Sequence, residues 1–410
     1  MKSEWTKKKL SDIADFNPRE TIKKGAIAKK IPMDVLRPSY RDIPYYVEEC
    51  FSGGTKFRNG DTIMARITPC LENGKTAQVS ILNDGEVGFG STEYIVFRAK
   101  EGIADKDYLY YLVCSPEVRE PAIKSMVGSS GRQRVQTDVV KNLEIDVPPL
   151  VEQEKIGSFL KAFDDKIALN DRINKNLLEQ IKTICTAWLS DYKPFDGVMP
   201  SDWVETPLSD IAEFISGYSY KGTELTDSTI AMATIRNFDR KGGFKLDGYK
   251  EIIPSSKLKE SQHAELFDTL VAHTDLTQNA EVIGNAEPVM SKSGYDDIVF
   301  SMDLVKVLPK KNGVSKFLIA AILQDKKFKA HCLGYVNGTT VLHLSKKALP
   351  EYKLFLPSDF STLKPLDEVV TALYKQVSSN ISENTYLEEL RGSLLPKLMS
   401  GELDISDIDL

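Results

Sequence analysis

The sequence predicts an α+β protein in which two pseudo-repeated α+β globular domains are separated by two long helices packed as an antiparallel coiled coil. Three observations predict this class: the 410-residue chain repeats itself, each copy ends in a heptad pattern, and strand patterns precede each heptad segment. The predicted boundaries are residues 1–149 for the first globular domain, 150–192 for the first helix, 193–357 for the second globular domain, 358–402 for the second helix and 403–410 for an acidic tail.

The repeat is visible directly in the residues. EWTKKKLSDIADF (4–16) returns 198 residues later as DWVETPLSDIAEF (202–214). GDTIMAR (60–66) matches FDTLVAH (267–273), and GSSGRQRVQTDVVKNLEIDVP (128–148) matches NGTTVLHLSKKALPEYKLFLP (337–357). The offset grows from 198 to 209, as insertions into surface loops of the second copy would produce. The chain therefore predicts two copies of one fold.

Each copy mixes strand and helix patterns before its heptad segment. DTIMAR, EYIVFR and LEIDVP in the first copy are short apolar or alternating runs typical of strands, as are DTLVAH and DLVKVL in the second. Residues 106–127 and 315–333 carry helical periodicity instead. Each globular domain is therefore expected to be α+β.

The two heptad segments predict long helices whose apolar seams meet. Pro396 lies near the end of the second segment and is expected to kink that helix or to end it early. The apolar seam positions are Ile156, Leu160, Phe163, Ile167, Leu177, Ile181, Ile184 and Trp188 in the first helix, and Leu366, Val370, Leu373, Val377, Leu387, Leu394 and Leu398 in the second.

Each seam is interrupted by two asparagines, which are Asn170, Asn174, Asn380 and Asn384. If the helices pack antiparallel about their centres, Asn170 faces Asn384 and Asn174 faces Asn380. A buried polar layer of this kind sets register at some cost in stability. In the alternative packing, Ile173 and Ile381 fill the core and the asparagines lie at its edge.

Composition and charge exclude several classes of protein. With 41% apolar and 27% charged residues, the chain is typical of a globular protein. No apolar run is long enough for a membrane span and the N-terminus lacks an apolar signal region, so we expect a cytoplasmic protein without a membrane partner. The five cysteines and four histidines show neither CxxC nor HxxxH spacing, so no metal is expected. The net charge of −6 is unusual for a nucleic-acid binder, but part of the acidity lies in the C-terminal tail.

Several motifs in this order carry a resemblance to a known family: FRNGDTIMARITPCLENGKTA (57–77), GSSGRQRV (128–135), VPPLVEQEKIGSFLKAFDDKI (147–167), MPSDWVETPLSDIAEF (199–214) and LRGSLLPKLMSGEL (390–403). Together they resemble the DNA-specificity (S) subunit of type I restriction-modification enzymes.

The resemblance implies that the two globular domains are target recognition domains, each reading one half of a bipartite, asymmetric site in double-stranded DNA. It also implies that the helices are a spacer and a docking surface for two methyltransferase (modification) subunits, which motor-nuclease (restriction) subunits join. The second copy departs from the pattern, because FDTLVAHTDLTQNAEV (267–282) lacks the RITPCLENGK signature and has His273 where the first copy has Arg66.

Candidate DNA contacts in the first copy begin with the turn after DTIMAR. Lys75 can neutralise a phosphate, and Arg66 can reach a phosphate or the O6 and N7 atoms of guanine. The alternative for Arg66 is an internal ion pair with Glu72 or Glu93. Asn73 precedes a glycine and is expected mainly to support the turn.

The glycine loop GSSGRQR supplies the other candidates of the first copy. Its donors are Arg132, Gln133 and Arg134, and glutamine can bind adenine through two hydrogen bonds. The candidates in the second copy are its counterparts Asn337, Thr339, Thr340 and His343, together with His273 and, more weakly, Lys292.

No pattern points to catalysis. The sequence lacks an N/D-PP-Y/F amino-methylation motif, an FxGxG cofactor loop and a DExx helicase box, so the chain is expected to be a non-enzymatic subunit without a cofactor. Two rival functions remain open: the specificity subunit of a type II enzyme with a split site, and a coiled-coil scaffold protein that does not bind DNA.

Overall fold

The computed structural model describes residues 5–129 and 131–404, and these form two compact units. Unit 1 comprises Met1–Leu169 and Tyr386–Leu410, and unit 2 comprises Asn170–Thr385. The units divide both long helices near their middles, whereas the sequence-based boundaries treat each helix as a separate segment. Most of the predicted acidic tail, residues 405–410, lies outside the described residues.

Unit 1 is an α+β globule whose helices follow or interrupt short strands. Its strands are β1 (Thr6–Lys9), β2 (Ala14–Phe16), β3 (Ile27–Ile31), β4 (Val47–Cys50), β5 (Thr55–Phe57), β6 (Thr62–Ala65), β7 (Thr76–Gln78), β8 (Gly88–Gly90), β9 (Tyr94–Ala99) and β10 (Glu144–Val147). Its short helices are α1 (Leu10–Ile13), α2 (Lys106–Cys114), α3 (Pro116–Lys124) and α4 (Thr137–Lys141), and the long helix α5 spans Leu150–Leu189.

The strands of unit 1 form one sheet of order β2-β9-β6-β7, a second of order β4-β3-β8-β5 and the pair β1-β10. Strands β3 and β8 are parallel, and the other pairs are antiparallel. Strand β6, the predicted strand DTIMAR, is buried along its whole length at the centre of its sheet. An apolar strand in this position needs no polar alternation.

Unit 2 repeats this layout with longer loops. Its strands are β11 (Trp203–Pro207), β12 (Ala212–Ser216), β13 (Ile230–Ala233), β14 (Lys250–Glu251), β15 (Thr269–Ala272), β16 (Thr274–Asp275), β17 (Ala286–Pro288), β18 (Asp297–Phe300), β19 (Leu304–Pro309), β20 (Val336–Asn337), β21 (Leu342–Leu344) and β22 (Lys353–Pro357). Its helices are α6 (Leu208–Ile211), α7 (Lys316–Leu323), α8 (Lys326–Leu333), α9 (Ala348–Glu351) and α10 (Lys364–Met399), the last of which ends in unit 1.

The sheets of unit 2 follow the same strand order as their counterparts. The order β12-β19-β15-β17 matches β2-β9-β6-β7, β14-β13-β18 matches β4-β3-β8, and β11-β22 matches β1-β10. The parallel pair recurs as β13 and β18. A small additional sheet of order β16-β21-β20 joins two loops of unit 2.

Local capping explains where several helices begin. The Asp105 carboxylate accepts hydrogen bonds from the backbone amides of Asp107 (2.9 Å) and Tyr108 (2.8 Å) at the start of α2. Ser315 caps α7 and Asp325 caps α8 in the same way. Such caps satisfy amides that have no partner within the helix.

The long helices are the most regular elements. Helix α5 has 40 residues and α10 has 36, and a 3₁₀ turn at Phe360–Leu363 leads into α10. The expectation that Pro396 would end the second helix early is wrong, because α10 continues to Met399. Proline removes one amide donor and its ring crowds the carbonyl four residues earlier, but at Pro396 this disturbance falls within the last turns of α10.

Candidate nucleic-acid interface

In unit 1 the two predicted DNA-contacting segments pair with each other. Ile67 and Arg134 form an antiparallel bridge, and the Val135 amide donates to the Arg66 carbonyl at 2.9 Å. The segment that follows strand β6 is therefore fixed to the segment that follows the glycine loop. The sequence placed candidates on both segments without predicting that they meet.

The pairing places Arg66 at the backbone of Glu93 and Arg134 at the Glu93 carboxylate. The Arg134 guanidinium donates Nε and Nη2 hydrogen bonds to the Glu93 carboxylate at 2.7–3.0 Å. This ion pair holds the pKa of Glu93 below its ordinary value. Arg66 instead donates Nη2 to the Val135 carbonyl at 3.2 Å, and its backbone amide donates to the Glu93 carbonyl at 2.9 Å. The ion pair with Glu93 that is the alternative role for Arg66 is thus formed by Arg134. Both arginines make contacts inside unit 1.

The sequence predicts a free Lys75 side chain that contacts a phosphate, but the structure holds this side chain inside unit 1. Its ammonium group donates to the Met33 carbonyl at 2.9 Å and is half-buried. A lysine held in this way has lost one of its three donors and much of its exposure. Asn73 is exposed in the turn that starts at Pro69, whose carbonyl accepts the Asn73 amide at 2.9 Å.

The glycine loop exposes both of its arginines, and one of them is unpaired among the described residues. The Arg132 guanidinium has no hydrogen-bond or ion-pair partner among residues 5–129 and 131–404. Gln133 is half-buried, and its carbonyl accepts the Thr68 amide at 3.1 Å. Ser130, in the middle of the loop, lies outside the described residues. Arg132 is therefore the best-placed donor of this loop for an external ligand.

Unit 2 contains the same loop pairing with different side chains. Thr274 pairs with His343 across strands β16 and β21, and the Leu344 amide donates to the His273 carbonyl at 2.8 Å. The His273 amide donates to the Asp303 carbonyl at 2.8 Å, as the Arg66 amide donates to Glu93. The structure therefore aligns His273 with Arg66 and His343 with Arg134.

The chemistry at these aligned positions differs between the units. Burial lowers the pKa of His273, and the nearby cationic groups His343 and Lys346 lower it further. Among the described residues, Asp303 forms no ion pair like that of its counterpart Glu93, and its carboxylate accepts a hydrogen bond from the Thr274 hydroxyl at 2.8 Å. Beside His273 a hollow of about 390 Å³ is lined by Phe214, Ser216, Met302, Val305, Lys346, Leu349 and Pro350.

The turn NGTT of unit 2 is exposed, as expected for a candidate contact. Asn337, Thr339 and Thr340 are all exposed, and Asn337 Nδ2 donates to the Tyr335 carbonyl at 3.2 Å. Gln278 Nε2 donates to the Thr339 carbonyl at 2.5 Å, which ties this turn to the loop after β16. Within the described part of the chain, the Thr339 and Thr340 hydroxyls are free, so they can contact a ligand.

Lys292 lies on a separate turn and is partly neutralised. Its Nζ is 3.6 Å from the Glu265 carboxylate and donates weakly to the Asp296 carbonyl at 3.4 Å. A partly exposed pair of this kind contributes little to stability. It leaves Lys292 a weaker candidate than the NGTT turn.

The seam asparagines meet in two hydrogen-bonded pairs within unit 2. Asn170 Nδ2 donates to Asn384 Oδ1 at 2.9 Å, and Asn380 Nδ2 donates to Asn174 Oδ1 at 2.7 Å. All four side chains are buried, whereas Ile173 is 39% exposed. The amides therefore lie between the helices in place of the alternative isoleucine packing.

In unit 1 the helix pair is joined by charged groups. Arg391 interrupts the apolar seam of α10 and forms an ion pair with the buried Asp164 of α5. The Tyr111 hydroxyl donates to the same carboxylate at 2.5 Å, and Arg41 donates to the neighbouring Asp165 at 2.6 Å. Burial raises the pKa of Asp164, against the opposing effect of Arg391.

The described residues contain neither a metal-ligand cluster nor a membrane-spanning helix. Within residues 5–129 and 131–404, no group of three or more His, Cys, Asp or Glu side chains is arranged to hold a metal ion. Among the helices of the same residues, none is both long and apolar enough to cross a membrane.

Comparison with known proteins relates this geometry to one family. Residues 2–179 match the family described as the type I restriction modification DNA specificity domain. The chain is 32% identical over 183 residues to the EcoAI type I restriction enzyme specificity subunit of Escherichia coli, in an alignment that covers 43% of this chain and 30% of that subunit. It is 22% identical over 475 residues to the HindI specificity subunit of Haemophilus influenzae, covering 98% of this chain and 100% of that one. Residues 2–179 carry the type I specificity domain, and the chain is similar to type I specificity subunits over nearly its whole length. The resemblance predicted from the sequence is confirmed.

A solved structure has a similar fold. The S subunit of a type I restriction-modification system from M. genitalium has a TM-score of 0.52 and 16% identity, covering 96% of each chain. At that identity the similarity concerns the fold alone, which is a mixture of helices and sheets. The coarse α+β prediction is confirmed.

Sequence reasoning missed one exposed basic segment of unit 2. Residues 235–248 of unit 2 carry Arg236, Arg240, Lys241 and Lys245, all exposed. The signal was present as RNFDRKGGFK (236–245), in which cations alternate with glycines and aromatic residues. The sequence of the first copy has no matching stretch, so the repeat does not single it out.

Proposed function

We propose that this chain is the non-catalytic DNA sequence-recognition subunit of a type I restriction-modification complex. In this proposal, units 1 and 2 contain the two target recognition domains, and each reads one half of a bipartite, asymmetric site. Its support at the level of the family is the similarity of this chain to type I specificity subunits.

One observation carries the proposal: the two units hold the same pair of loops together but place different side chains on them. The bridge between Ile67 and Arg134 in unit 1 recurs between Thr274 and His343 in unit 2. Direct readout depends on which donors and acceptors face the base edges. A shared frame with different side chains is therefore what two unlike half-sites require.

The candidate contacts differ in how available they are. Arg132 in unit 1 and the Thr339 and Thr340 hydroxyls in unit 2 are exposed donors. Arg66 and Arg134 support the loop of unit 1 through Glu93 and Val135. We assign direct contact to the first group and loop positioning to the second.

The long helices α5 and α10 are proposed to form the antiparallel coiled coil that separates the recognition domains. A helix of 40 residues is about 60 Å long at 1.5 Å per residue. Successive major grooves on one face of DNA are about 34 Å apart. Helices of this length can therefore set the spacing between half-sites, with the asparagine layer as the register element.

The partners in this proposal are double-stranded DNA, two methyltransferase subunits docked on the helices, and motor-nuclease subunits. The net charge of −6 agrees with a chain that obtains part of its phosphate contacts from those partners. Methylation and cleavage are assigned to the partners, so this chain requires no cofactor of its own.

Mapping methylated adenines in DNA from cells that contain the complete complex tests the proposal. The expected result is a motif of two unlike halves separated by a spacer of fixed length. A continuous motif, or methylation without sequence preference, contradicts it. Omission of this chain is the control, and should abolish site-specific methylation.

A further inference from the structure

The basic turn of unit 2, residues 235–248, is a surface to which nothing above assigns a role. It follows strand β13 and carries four exposed cations, Arg236, Arg240, Lys241 and Lys245. Arg240 forms an ion pair with Glu281 at 3.2 Å. Within the described part of the chain, the side chains of Arg236 and Lys245 have no hydrogen-bond or ion-pair partner.

Buried hydrogen bonds hold this turn in one conformation. The Asn237 side chain is fully buried, donates to the Lys245 carbonyl at 2.8 Å and accepts the Thr234 amide at 2.9 Å. The Lys245 amide donates to the Asn237 carbonyl at 2.7 Å, and the Gly243 amide donates to the buried Glu287 at 2.7 Å. An exposed segment with this many internal bonds is pre-organised, which reduces the entropy lost on binding.

Close packing supports the same conformation. A Cβ atom on Gly248 would lie 2.6 Å from the carbonyl carbon and oxygen of Arg236, so only glycine fits at this approach. Phe244 lies between Phe238 and Tyr249, with ring centroids 6.0 and 5.6 Å away. The turn is therefore a built feature of unit 2 rather than a loose insertion.

The turn faces a hollow that mixes donors with acceptors. The hollow has a volume of about 260 Å³, and its polar lining includes Arg236, Arg240, Lys245, Asp247, Asp275 and Thr277. Phosphate groups present only acceptors, and a site for them needs only donors. Base edges present both, so a mixed lining is suited to bases.

A loop that lines the hollow is hydrogen-bonded to the NGTT turn. The Asp275 carboxylate accepts hydrogen bonds from the Thr277 amide (2.7 Å) and the Val282 amide (2.9 Å), which fixes the loop on the far side of the hollow. Gln278 in that loop donates to the Thr339 carbonyl at 2.5 Å. The basic turn, the loop and the NGTT turn are therefore neighbours within unit 2.

Unit 1 differs from unit 2 at the corresponding segment. Its segment after β3 is the counterpart of the basic turn, because β3 and β13 occupy the same place in their sheets. There Arg41 is buried and donates to Asp42 at 2.8 Å and Asp165 at 2.6 Å. Arg41 attaches the globule to its helix, and Arg37 lies over the Tyr40 ring at 3.9 Å. Arg236 and Lys245 of unit 2, in contrast, are exposed and have no such contact among the described residues.

We propose that the basic turn is the principal specificity-determining element of unit 2, with Arg236 and Lys245 reading base edges in the half-site of that unit. This inference rests on the proposed function, because it requires that unit 2 reads DNA. Arg236 is assigned the guanine-type edge, whose O6 and N7 atoms accept two hydrogen bonds from one guanidinium. Arg240 and Lys241, at the tip of the turn, are assigned to phosphates.

The test uses the complete complex and measures its preference at every base pair of the site mapped for the wild type. Arg236→Ala is expected to reduce discrimination about tenfold at one or two positions of one half-site and to leave the other half unchanged. Arg236→Lys keeps the charge without the guanidinium fork, so it should show the same loss of discrimination with an unchanged salt dependence. Lys257→Ala, at an exposed lysine elsewhere in unit 2, is the matched control.

Three results overturn the inference. Wild-type preference in both Arg236 variants excludes base reading by Arg236. A uniform loss of affinity at all positions, with a shallower salt dependence for Arg236→Ala, makes it a phosphate contact. Loss of discrimination between bases in both half-sites excludes a role confined to unit 2. In each case a split motif for the wild type leaves the proposed function standing, whereas a wild type without a split motif removes both.

Discussion

A cation on the surface of this chain is available to DNA only where no internal acceptor already holds it, and unit 1 shows both cases. Lys75 donates to the Met33 carbonyl and Arg134 to the Glu93 carboxylate. Arg132, two residues from Arg134, is exposed and has no partner among the described residues. Adjacent arginines therefore have different roles, one in positioning the loop and one in contact.

Replacement of Arg132 with alanine is the first test at the residue scale. We expect the complex to bind its site roughly 5- to 100-fold more weakly, because one charged donor is lost from the interface. The melting temperature should not change, because the side chain is exposed. Lys7→Ala on β1 is the matched control and should bind as the wild type does. An Arg132→Ala complex with unchanged affinity contradicts the assignment.

Glu287 makes the stability of unit 2 depend on pH. Burial raises the pKa of this carboxyl group to about 7, above the value of about 4.3 expected in the unfolded chain. The folded state therefore retains its proton over that range while the unfolded state loses it, so stability falls as pH rises from about 4.3 to about 7.

The Glu287→Gln variant should remove this dependence, because an amide cannot ionise. We expect the variant to gain roughly 1–3 kcal/mol over the wild type when both are moved from pH 5 to pH 8. Thermal unfolding of the two proteins at both pH values measures the difference. A gap between them that stays constant with pH is inconsistent with a buried carboxyl that titrates near 7.

At the scale of single elements, the asparagine layer exchanges stability for a defined register. Replacing Asn380 with leucine leaves the buried Asn174 carbonyl oxygen without its donor, which should cost about 1–3 kcal/mol. The double variant Asn174→Leu with Asn380→Leu should recover that loss, because two apolar groups replace the pair.

Denaturant unfolding of the single and double variants measures this coupling. Ser379→Leu, at the exposed neighbouring position, is the control and should change stability by less than about 0.5 kcal/mol. If the double variant is less stable than Asn380→Leu alone, the amides support the helix pair in some other way.

Patterns that repeat along the chain made the helices and strands predictable. Contacts made by single side chains were not predictable. The heptad spacing placed both long helices, and the shared LSDIA motif paired the two copies. The antiparallel centre of the seam also aligned Asn170 with Asn384, which the structure pairs. These features depend on periodicity, which a sequence displays directly.

The candidate site could be predicted only in outline. The sequence located both loops of unit 1, but Lys75 and Arg134 form internal bonds that depend on the position of Met33 and Glu93 in space. The basic turn of unit 2 has a structural counterpart after β3 but no match in the sequence of the first copy, so the repeat does not single out Arg236. Loop contacts between residues distant in sequence were the missing information.

At the scale of the whole molecule, helix length is proposed to set the distance between half-sites. Inserting seven residues after Leu169 and seven after Thr385 preserves the heptad and lengthens each helix by about 10.5 Å. With about 3.4 Å of DNA per base pair, the spacer should grow by about three base pairs while both half-sites stay the same. Motif mapping checks this, and an unchanged spacer contradicts the role of the helices.

The central claim is that two unlike units each read one half of a split site. The most direct measurement is motif mapping for complexes that contain Arg132→Ala or Arg236→Ala, side by side with the wild type. The account predicts that Arg132→Ala relaxes one half-site and Arg236→Ala relaxes the other. Relaxation of the same half-site by both variants, or of a motif without a spacer, contradicts it.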